Sequence, residues 1–257
     1  MANGRPSVKE KRELARKQIT EVSLELFLEK GYEETTTRDI INKAGILNGS
    51  LYNRFKSKDE ILISIVKEAT EEILENAMEL LKRENNLLLT ASFPAALELN
   101  MASKWRTVAN LIYEVHRRWD AVQMYNDILG RWFEEFMSGY GFKNSDSHRF
   151  QMIMTSLTGA VGDMIGCYAH GNELPYKEAL KHYILLLSTT LRIPAIDIDG
   201  MVDRLTEILD SEGMTFLGYD LSKGPYISEP AGSERSPRAI SIITTFPNRE
   251  TIRNSWF

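Results

Sequence analysis

The sequence has little cysteine, proline and glycine and no long apolar run, and each shortage excludes a class of protein. Cys167 is the only cysteine among 257 residues, so one thiol cannot form an intramolecular disulfide, a multi-thiolate zinc site or an iron–sulfur cluster. Sixteen glycines and eight prolines exclude collagen-like and low-complexity architectures. No run reaches the ~18 apolar residues of a membrane span, and no apolar core follows the basic amino terminus. We therefore expect a cytoplasmic protein without a membrane span.

Charge is unevenly divided along the chain. Residues 1–58 contain twelve Lys and Arg against eight Asp and Glu, a net charge of +4, and the remaining residues contain nineteen against twenty-eight, a net charge of −9. A basic amino-terminal segment on an acidic body is typical of a protein that presents one end to a polyanion such as DNA. A basic helix that is merely solvated is the alternative interpretation.

Apolar residues at steps of three and four predict a first helix from Val8 to Lys30, ending at Gly31. Its apolar stripe consists of Ala15, Ile19, Val22, Leu26 and Phe27.

A second, short helix is predicted over 37–44. Thr36 followed three residues later by Asp39 approximates a capping box, and Gly45 tolerates the left-handed conformation of a helix end. The threonine run before this helix supports the same boundary, because threonine side chains accept hydrogen bonds from the first backbone N–H groups of a helix.

A third helix over 48–54 places Leu51 and Phe55 on its inner side. Ser57 and Glu60 form a capping box for a fourth helix that extends to about Lys82. Two short helices joined by a glycine-containing turn and braced by a longer helix predict a helix-turn-helix, whose second helix enters the major groove of DNA. An ordinary helical hairpin is the alternative.

Residues 16–62 resemble the DNA-binding domain of the TetR family of transcriptional regulators. The resemblance rests on fixed offsets between the following residues: Phe27, Gly31 and Tyr32; Thr35, Thr36 and Ile40; Ala44, Gly45 and Ile46; Gly49, Leu51, Tyr52 and Phe55; Ser57 and Lys58. It implies an all-α fold, with a three-helix DNA-binding domain followed by a helical domain that dimerises and usually binds a small effector.

The sequence departs from the family pattern at three positions. Ile41 stands where an alanine usually packs, Leu47 replaces the serine that usually caps the recognition helix, and Asn48 occupies the variable position after it. Because leucine cannot accept a backbone N–H bond, we expect either Asn48 to cap the helix one residue later or the backbone to adjust.

The resemblance also implies contacts with double-stranded DNA. Thr36, Thr37, Arg38, Tyr52 and Lys58 would approach phosphates, with Arg38 also near a guanine edge. The residues predicted to read base edges, from their place on the outer side of the third helix, are Asn48, Ser50, Asn53 and Arg54. Six basic residues either supplement binding as a flexible arm or are simply solvated; they are Arg5, Lys9, Lys11, Arg12, Arg16 and Lys17. Specificity would require a homodimer on a pseudo-palindromic operator.

The body is predicted to consist of helices at about 93–103, 105–118, 121–138, 146–169, 174–192 and 200–212, with Pro94 and Pro175 in first turns. These boundaries divide the chain into a DNA-binding domain at 1–56, an effector-binding and dimerisation domain at 57–213, and an extension at 214–257. Within the extension we interpret 223–238 as a linker and 239–246 as a segment of β-propensity.

Two faces of the body suggest binding surfaces. Small and apolar residues on consecutive helices predict half of a four-helix dimer interface, with intramolecular core as the alternative; they are Gly159, Gly162, Gly166, Leu180, Ile184 and Leu187. An unusually aromatic stretch is either core or the lining of an effector cavity, and the candidates are Trp105, Tyr113, His116, Trp119, Tyr125 and Trp132.

No motif for catalysis, a metal or a cofactor is recognised. The four histidines are scattered, and neither a nucleophile elbow nor a Walker sequence is present. We therefore expect no enzymatic activity and no cofactor. A helical ligand-binding or interaction protein without specific DNA recognition remains the alternative to a regulator that is released from DNA by a small effector.

Overall fold

The structure, a computed structural model, describes residues 7–138, 147–211 and 215–220. These residues form ten helices and one β-hairpin, which confirms the expected all-helical class. The elements in chain order are α1 (Val8–Lys30), α2 (Thr37–Ala44), α3 (Asn48–Tyr52), α4 (Lys58–Glu84), α5 (Leu87–Lys104), α6 (Arg106–His116), α7 (Trp119–Ser138), α8 (Ser147–Ala169), α9 (Tyr176–Leu191), α10 (Ile198–Asp210), β1 (Thr215–Phe216) and β2 (Tyr219–Asp220).

Local capping defines the first helices. Thr36 accepts a bond from the Asp39 backbone N–H, and the Asp39 carboxylate accepts one from the Thr36 N–H, so the predicted capping box of α2 is complete. Gly45 ends α2 with φ +63°, the left-handed conformation that glycine tolerates. Only half of the predicted box forms at α4, because Ser57 caps the helix while the Glu60 carboxylate accepts from the Lys56 N–H instead.

The amino-terminal helices share a small core of their own. Phe27, Ile40, Leu51 and Phe55 are each at most 1% exposed and meet the first turns of α4. The short helix α3 therefore does not depend on its own hydrogen bonds, because a five-residue helix is unstable in isolation and this one is stabilised by packing. We call residues 7–57 the head and the helices from α4 onward the body.

The body is built around α5, which is buried along nearly its whole length. The predicted start at residue 93 is wrong: α5 begins at Leu87, capped by Asn86, and Pro94 lies inside the helix. A helix that is buried on all sides has no polar face, so its sequence shows no amphipathic period from which to locate its start. Pro175 precedes α9 as its N-cap.

A β-hairpin that the sequence did not predict follows α10. Its two strands pair antiparallel, and the turn residues Leu217 and Gly218 have φ of +50° and +79°. Leucine rarely adopts this conformation; here the Leu217 N–H donates to the Glu72 carboxylate at 3.1 and 3.2 Å. The hairpin is thereby fixed to α4. The predicted linker at 223–238 and the segment at 239–246 lie outside the described residues.

Candidate nucleic-acid interface and apolar cavity

Two hydroxyl groups meet where α2 begins beside α3. The Thr37 Oγ1 and Tyr52 Oη atoms are 3.4 Å apart, and Tyr52 is 48% exposed although its helix neighbour Leu51 is fully buried. Arg38, in the first turn of α2, is also exposed. Hydroxyl donors and an arginine beside a helix start are suited to a phosphate group. The predicted phosphate-contacting residues of α2 and α3 are therefore adjacent on one surface.

The outer side of α3 carries three of the four predicted base-reading residues in accessible positions. Asn48 and Asn53 are exposed and Ser50 is partly exposed, while Leu51 and Phe55 point into the head core. This division places amides and a hydroxyl on the outer surface of the helix. Such groups can exchange hydrogen bonds with base edges.

Arg54 differs from the expectation. It is partly buried, its Nη1 donates to the Ser50 carbonyl at 2.7 Å, and its Nε is buried without a partner among the described residues. Contact with a base edge would require the Ser50 bond to break. The prediction placed Arg54 on the exposed side of a helix that extends to residue 54, but α3 ends at Tyr52.

The predicted flexible arm is wrong for its described part. Residues 8–17 belong to α1, which begins with a complete capping box between Ser7 and Glu10. Arg16 has a structural role, because its guanidinium donates to the Arg54 carbonyl and the Ser64 hydroxyl and lies 4.1 Å from the centre of the Phe55 ring. Arg5 lies outside the described residues.

Leu47 begins α3 without a side-chain cap. Asn48 is the first residue of the helix and Leu47 is its N-cap, with no side-chain hydrogen bond. The expectation that Asn48 would take over the capping is therefore wrong, and its side chain is not used for this purpose. Leu47 is also 81% exposed, so an apolar side chain stands at the front of the proposed recognition helix.

Lys58 lies at the other end of this surface and is bound within the protein. Its Nζ donates to the carbonyls of Tyr32 at 2.6 Å and Glu33 at 3.3 Å, and it lies 4.2 Å from the centre of the Tyr32 ring. A phosphate would therefore meet an ammonium group that is already positioned but shared with two carbonyl oxygens.

Arg118 joins the head to the turn between α6 and α7. Its Nη1 donates to Asp59 at 2.7 Å and its Nη2 to Glu33 at 3.0 Å, while its guanidinium lies 4.4 Å from the centre of the Tyr32 ring. The Tyr32 hydroxyl donates to the same Asp59 at 2.6 Å. Burial, followed by this bond to Asp59, raises the pKa of Tyr32 well above its ordinary value. The phenol thus remains a donor in this group of four side chains.

An apolar cavity of about 130 Å³ lies where the head meets the body. It is walled by Leu24 and Leu28 of α1, by residues of α4 to α7, and by three residues of the hairpin. The hairpin residues are Phe216, Leu217 and Tyr219. Movement of any one wall would change the contacts available to the others, so a molecule in this cavity would touch the head and the body together.

Half of the predicted effector residues line this cavity. Trp105, His116 and Tyr125 do, whereas the other three do not. Trp119 is 76% exposed, Tyr113 packs against Gly166 and the His170 ring, and Trp132 stacks on Phe136 at 4.9 Å. Aromatic residues on a helix point in several directions, and only the packed structure shows which of them reach one space.

Glu98, which was not among the predicted site residues, is the one carboxylate in the cavity wall. It is 5% exposed within the apolar helix α5, and its Oε2 lies 3.4 Å from His116 Nε2. Burial, followed by the charge of the adjacent Glu98, raises the pKa of Tyr125. A lone acidic residue in an otherwise apolar stretch was the available signal. Within the described ranges no three His, Cys, Asp or Glu side chains are grouped to hold a metal ion.

The predicted dimer residues are mostly intramolecular core, so that expectation is wrong for five of the six. Leu180, Ile184 and Leu187 are fully buried within the chain. A Cβ on Gly162 would lie 2.8 Å from the His116 ring, and one on Gly166 would lie 2.7 Å from the Tyr113 ring. These glycines allow α6 to approach α8. Only Gly159 is exposed, with nothing within 4 Å of an added Cβ.

No helix within 7–138 and 147–211 has the length and apolar character needed to cross a bilayer.

The chain is similar to known proteins in sequence and in fold. The family described as "Bacterial regulatory proteins, tetR family" matches residues 19–65, which include α2 and α3. The transcriptional repressor KstR2 of Mycolicibacterium smegmatis is 32% identical over 85 residues, or 32% of this chain and 42% of KstR2. The match thus spans less than half of that relative's length.

Solved structures extend the similarity beyond the amino-terminal region, to about 70% of the chain. A putative TetR-family regulator from Syntrophomonas wolfei has a TM-score of 0.54 at 20% identity, over 72% of this chain and 99% of that one. Thermus thermophilus FadR, a TetR-family repressor in complex with lauroyl-CoA, also has a TM-score of 0.54, at 14% identity, over 71% of this chain and 97% of its own. At these identities the similarity establishes the shared fold.

Proposed function

Since the chain belongs to the TetR family of transcriptional regulators, we propose that it is a sequence-specific DNA-binding repressor that a small apolar effector releases from its operator. The observation that carries the proposal is the surface of α2 and α3. There Thr37 and Tyr52 present paired hydroxyls beside the exposed amides of Asn48 and Asn53. One set of groups suits phosphate and the other suits base edges, which is the division of roles that a groove-binding helix needs.

The contacts follow from accessibility. The DNA phosphate backbone is bound by Thr36, Thr37, Arg38 and Tyr52. Lys58 adds a positive charge at the start of α4. Asn48, Ser50 and Asn53 read bases from the outer side of α3, where Asn is suited to the N6 and N7 edge of adenine. Arg54 contributes to reading only if its bond to the Ser50 carbonyl opens.

A homodimer is part of the proposal, because one head covers only a few base pairs. The surface we assign to it is the outer side of α8 and α9, opposite the buried face that the glycine pattern suggested. Met152, Ser156, Gly159 and Asp163 follow one another along α8 at steps of three and four and are exposed, and Leu185 of α9 is 43% exposed. Small residues between apolar ones allow two such helices to approach a second pair.

An effector acts through the cavity that the head and the body share. Leu24 and Leu28 belong to α1, and α6 supplies a further wall and leads directly into the turn that carries Arg118. A ligand that separates these walls changes the position of Arg118 relative to Asp59 and Glu33, and so moves the head. The ligand favours release only to the extent that it binds the released conformation more tightly.

Selection of bound fragments from random duplex DNA by the purified full-length protein tests the proposal. We expect an inverted repeat to emerge, and affinity for it to fall steeply with salt because bound phosphates release their counterions. Tyr52→Phe should weaken binding to all sequences, whereas Asn53→Ala should relax preference at one position in each half-site by about 1–3 kcal/mol.

Lys82→Ala is the matched control for Lys58→Ala. Both remove one lysine charge from α4, but Lys82 is in the last turn of the helix and pairs with Glu79. Of these two variants, only Lys58→Ala should reduce the salt dependence of the affinity for DNA. Binding without sequence preference, with equal effects of all four variants, would refute specific recognition and favour a helical ligand-binding protein.

A further inference from the structure

The wall of the cavity between head and body is mostly apolar but includes one carboxylate, that of Glu98, and this asymmetry specifies its ligand. Resting on the proposed function above, we propose that the effector is a neutral molecule of single-ring size that carries one hydroxyl group. The hydroxyl donates to Glu98 while the ring packs against the aliphatic side chains of α4 and α6.

Glu98 has acceptor capacity to spare. A carboxylate offers about four lone-pair positions, and the described hydrogen-bond contact of the Glu98 carboxylate is with the His116 ring nitrogen, at 3.4 Å. Thr70, another polar residue of the wall, already donates its hydroxyl to the Val66 carbonyl at 2.7 Å. A ligand donor that reaches Glu98 therefore finds a hydrogen-bond acceptor among mostly apolar side chains.

The neutral charge follows from the rest of the lining. Side chains such as Ile65, Val66 and Val108 cannot solvate an ion, so a charged ligand would lose its hydration without replacement. A carboxylate would in addition face the Glu98 carboxylate directly. A hydroxyl adds one hydrogen bond and no charge, and so suits both the polar point and the apolar walls.

The volume of the cavity and the position of the hairpin limit the size of the ligand. A dry apolar cavity of about 150 Å³ is known to accept benzene, and the present cavity is about 130 Å³. Phe216 and Leu217 close one side of it, and the bond between the Leu217 N–H and Glu72 holds them there. A second cavity beyond His116 and Tyr125 measures only about 10 Å³, so the ligand cannot extend in that direction without displacing these side chains.

Calorimetric titration of the full-length protein with three probes of similar size tests the ligand class. The probes are toluene, p-cresol and p-toluate, which place a hydrogen, a hydroxyl or a carboxylate on the same position of the ring. We expect p-cresol to bind at least about tenfold more tightly than toluene, as for a hydrogen bond to a charged group, and p-toluate to bind more weakly than either. Equal affinities for p-cresol and toluene, or tightest binding of p-toluate, would overturn the proposal.

Two substitutions at Glu98 test whether the hydroxyl group of the bound ligand contacts this residue. Glu98→Leu removes the acceptor and should abolish the advantage of p-cresol over toluene, while Glu98→Gln keeps an acceptor oxygen in a similar shape and should retain part of it. The conservative variant keeps the test decisive if the leucine variant does not fold. An undiminished advantage in both variants would place the hydroxyl elsewhere and refute the assignment.

The full-length variant Leu217→Ala tests the size limit. It should increase affinity for 4-propylphenol several-fold and leave p-cresol nearly unchanged, whereas Ile196→Ala, at a leucine-sized side chain that is 80% exposed and outside the lining, should change neither. No gain in the Leu217 variant would refute the role of the hairpin. Operator release by p-cresol is measured separately: selective binding without release refutes the proposed regulation and supports the ligand class.

Discussion

Gly162→Ala tests whether the buried glycines of α8 serve packing within the chain. An added Cβ would lie 2.8 Å from the His116 Nδ1, 2.9 Å from its Cγ and 3.1 Å from its Cβ. The last of these atoms is attached to the backbone of α6, so rotation of the ring alone does not relieve the contact. Alanine gains about 1 kcal/mol over glycine in a helix, but overpacking costs about 1–3 kcal/mol. We expect a net loss of about 1 kcal/mol.

Urea unfolding of the full-length protein, followed by circular dichroism at two protein concentrations, measures this loss. It corresponds to a decrease of about 2–4 °C in Tm for a chain of this size. Gly130→Ala, in α7 and away from the proposed dimer surface, is the control, since its added Cβ would make only an ordinary contact of 3.5 Å with the Phe150 ring and the protomer should gain up to about 1 kcal/mol of helix propensity. The two variants should therefore differ by about 2 kcal/mol.

The oligomeric state, measured by sedimentation, separates packing from assembly. Gly162→Ala should leave self-association intact and weaken ligand binding, because the displaced His116 lines the cavity. If Gly162→Ala is at least as stable as the parent protein but no longer self-associates, the reasoning is refuted, and the glycine faces a second copy of the chain instead of α6.

Four further predictions concern the head and its link to the body. Leu47→Ser should raise the free energy of unfolding by about 1 kcal/mol, because serine would supply the missing cap of α3; no change in urea unfolding would show that the helix start is already satisfied. Phe55→Ala should cost about 3–5 kcal/mol, since the ring is fully buried, and a loss below about 1 kcal/mol would contradict the head core. Hydrogen bonds from Thr36 and the charge of Lys30 lower the pKa of Asp39 to about 2, so its contribution to stability is present above the unfolded pKa near 4 and is lost as the pH falls toward 2; Asp39→Asn should reduce the dependence of unfolding on pH in that window, and an identical profile would argue against the capping box. Arg118→Gln should leave p-cresol affinity unchanged while reducing operator release, as measured by fluorescence anisotropy, and normal release would remove Arg118 from the coupling route.

The head was predictable from sequence because its signals are local. Thr36 and Asp39 meet three residues apart, Gly45 terminates α2 by its own backbone conformation, and Leu51 and Phe55 are brought to one side by helical spacing. Interactions of this range depend only on the backbone of one turn, so the residue types and their spacing are sufficient to predict them. The same periodicity located most of the body helices to within a few residues.

The direction in which side chains face other elements was decided only by the tertiary structure. Arg54 turns toward Ser50, Gly162 admits His116, and Glu98 reaches a cavity whose far wall is Leu217, over a hundred residues later in the chain. A helix with several apolar or small faces does not specify which face meets which neighbour, since that choice depends on the simultaneous packing of all the others. The sequence by itself therefore determined the helices and the DNA-binding motif, and the packing of distant segments determined the cavity and its polar group.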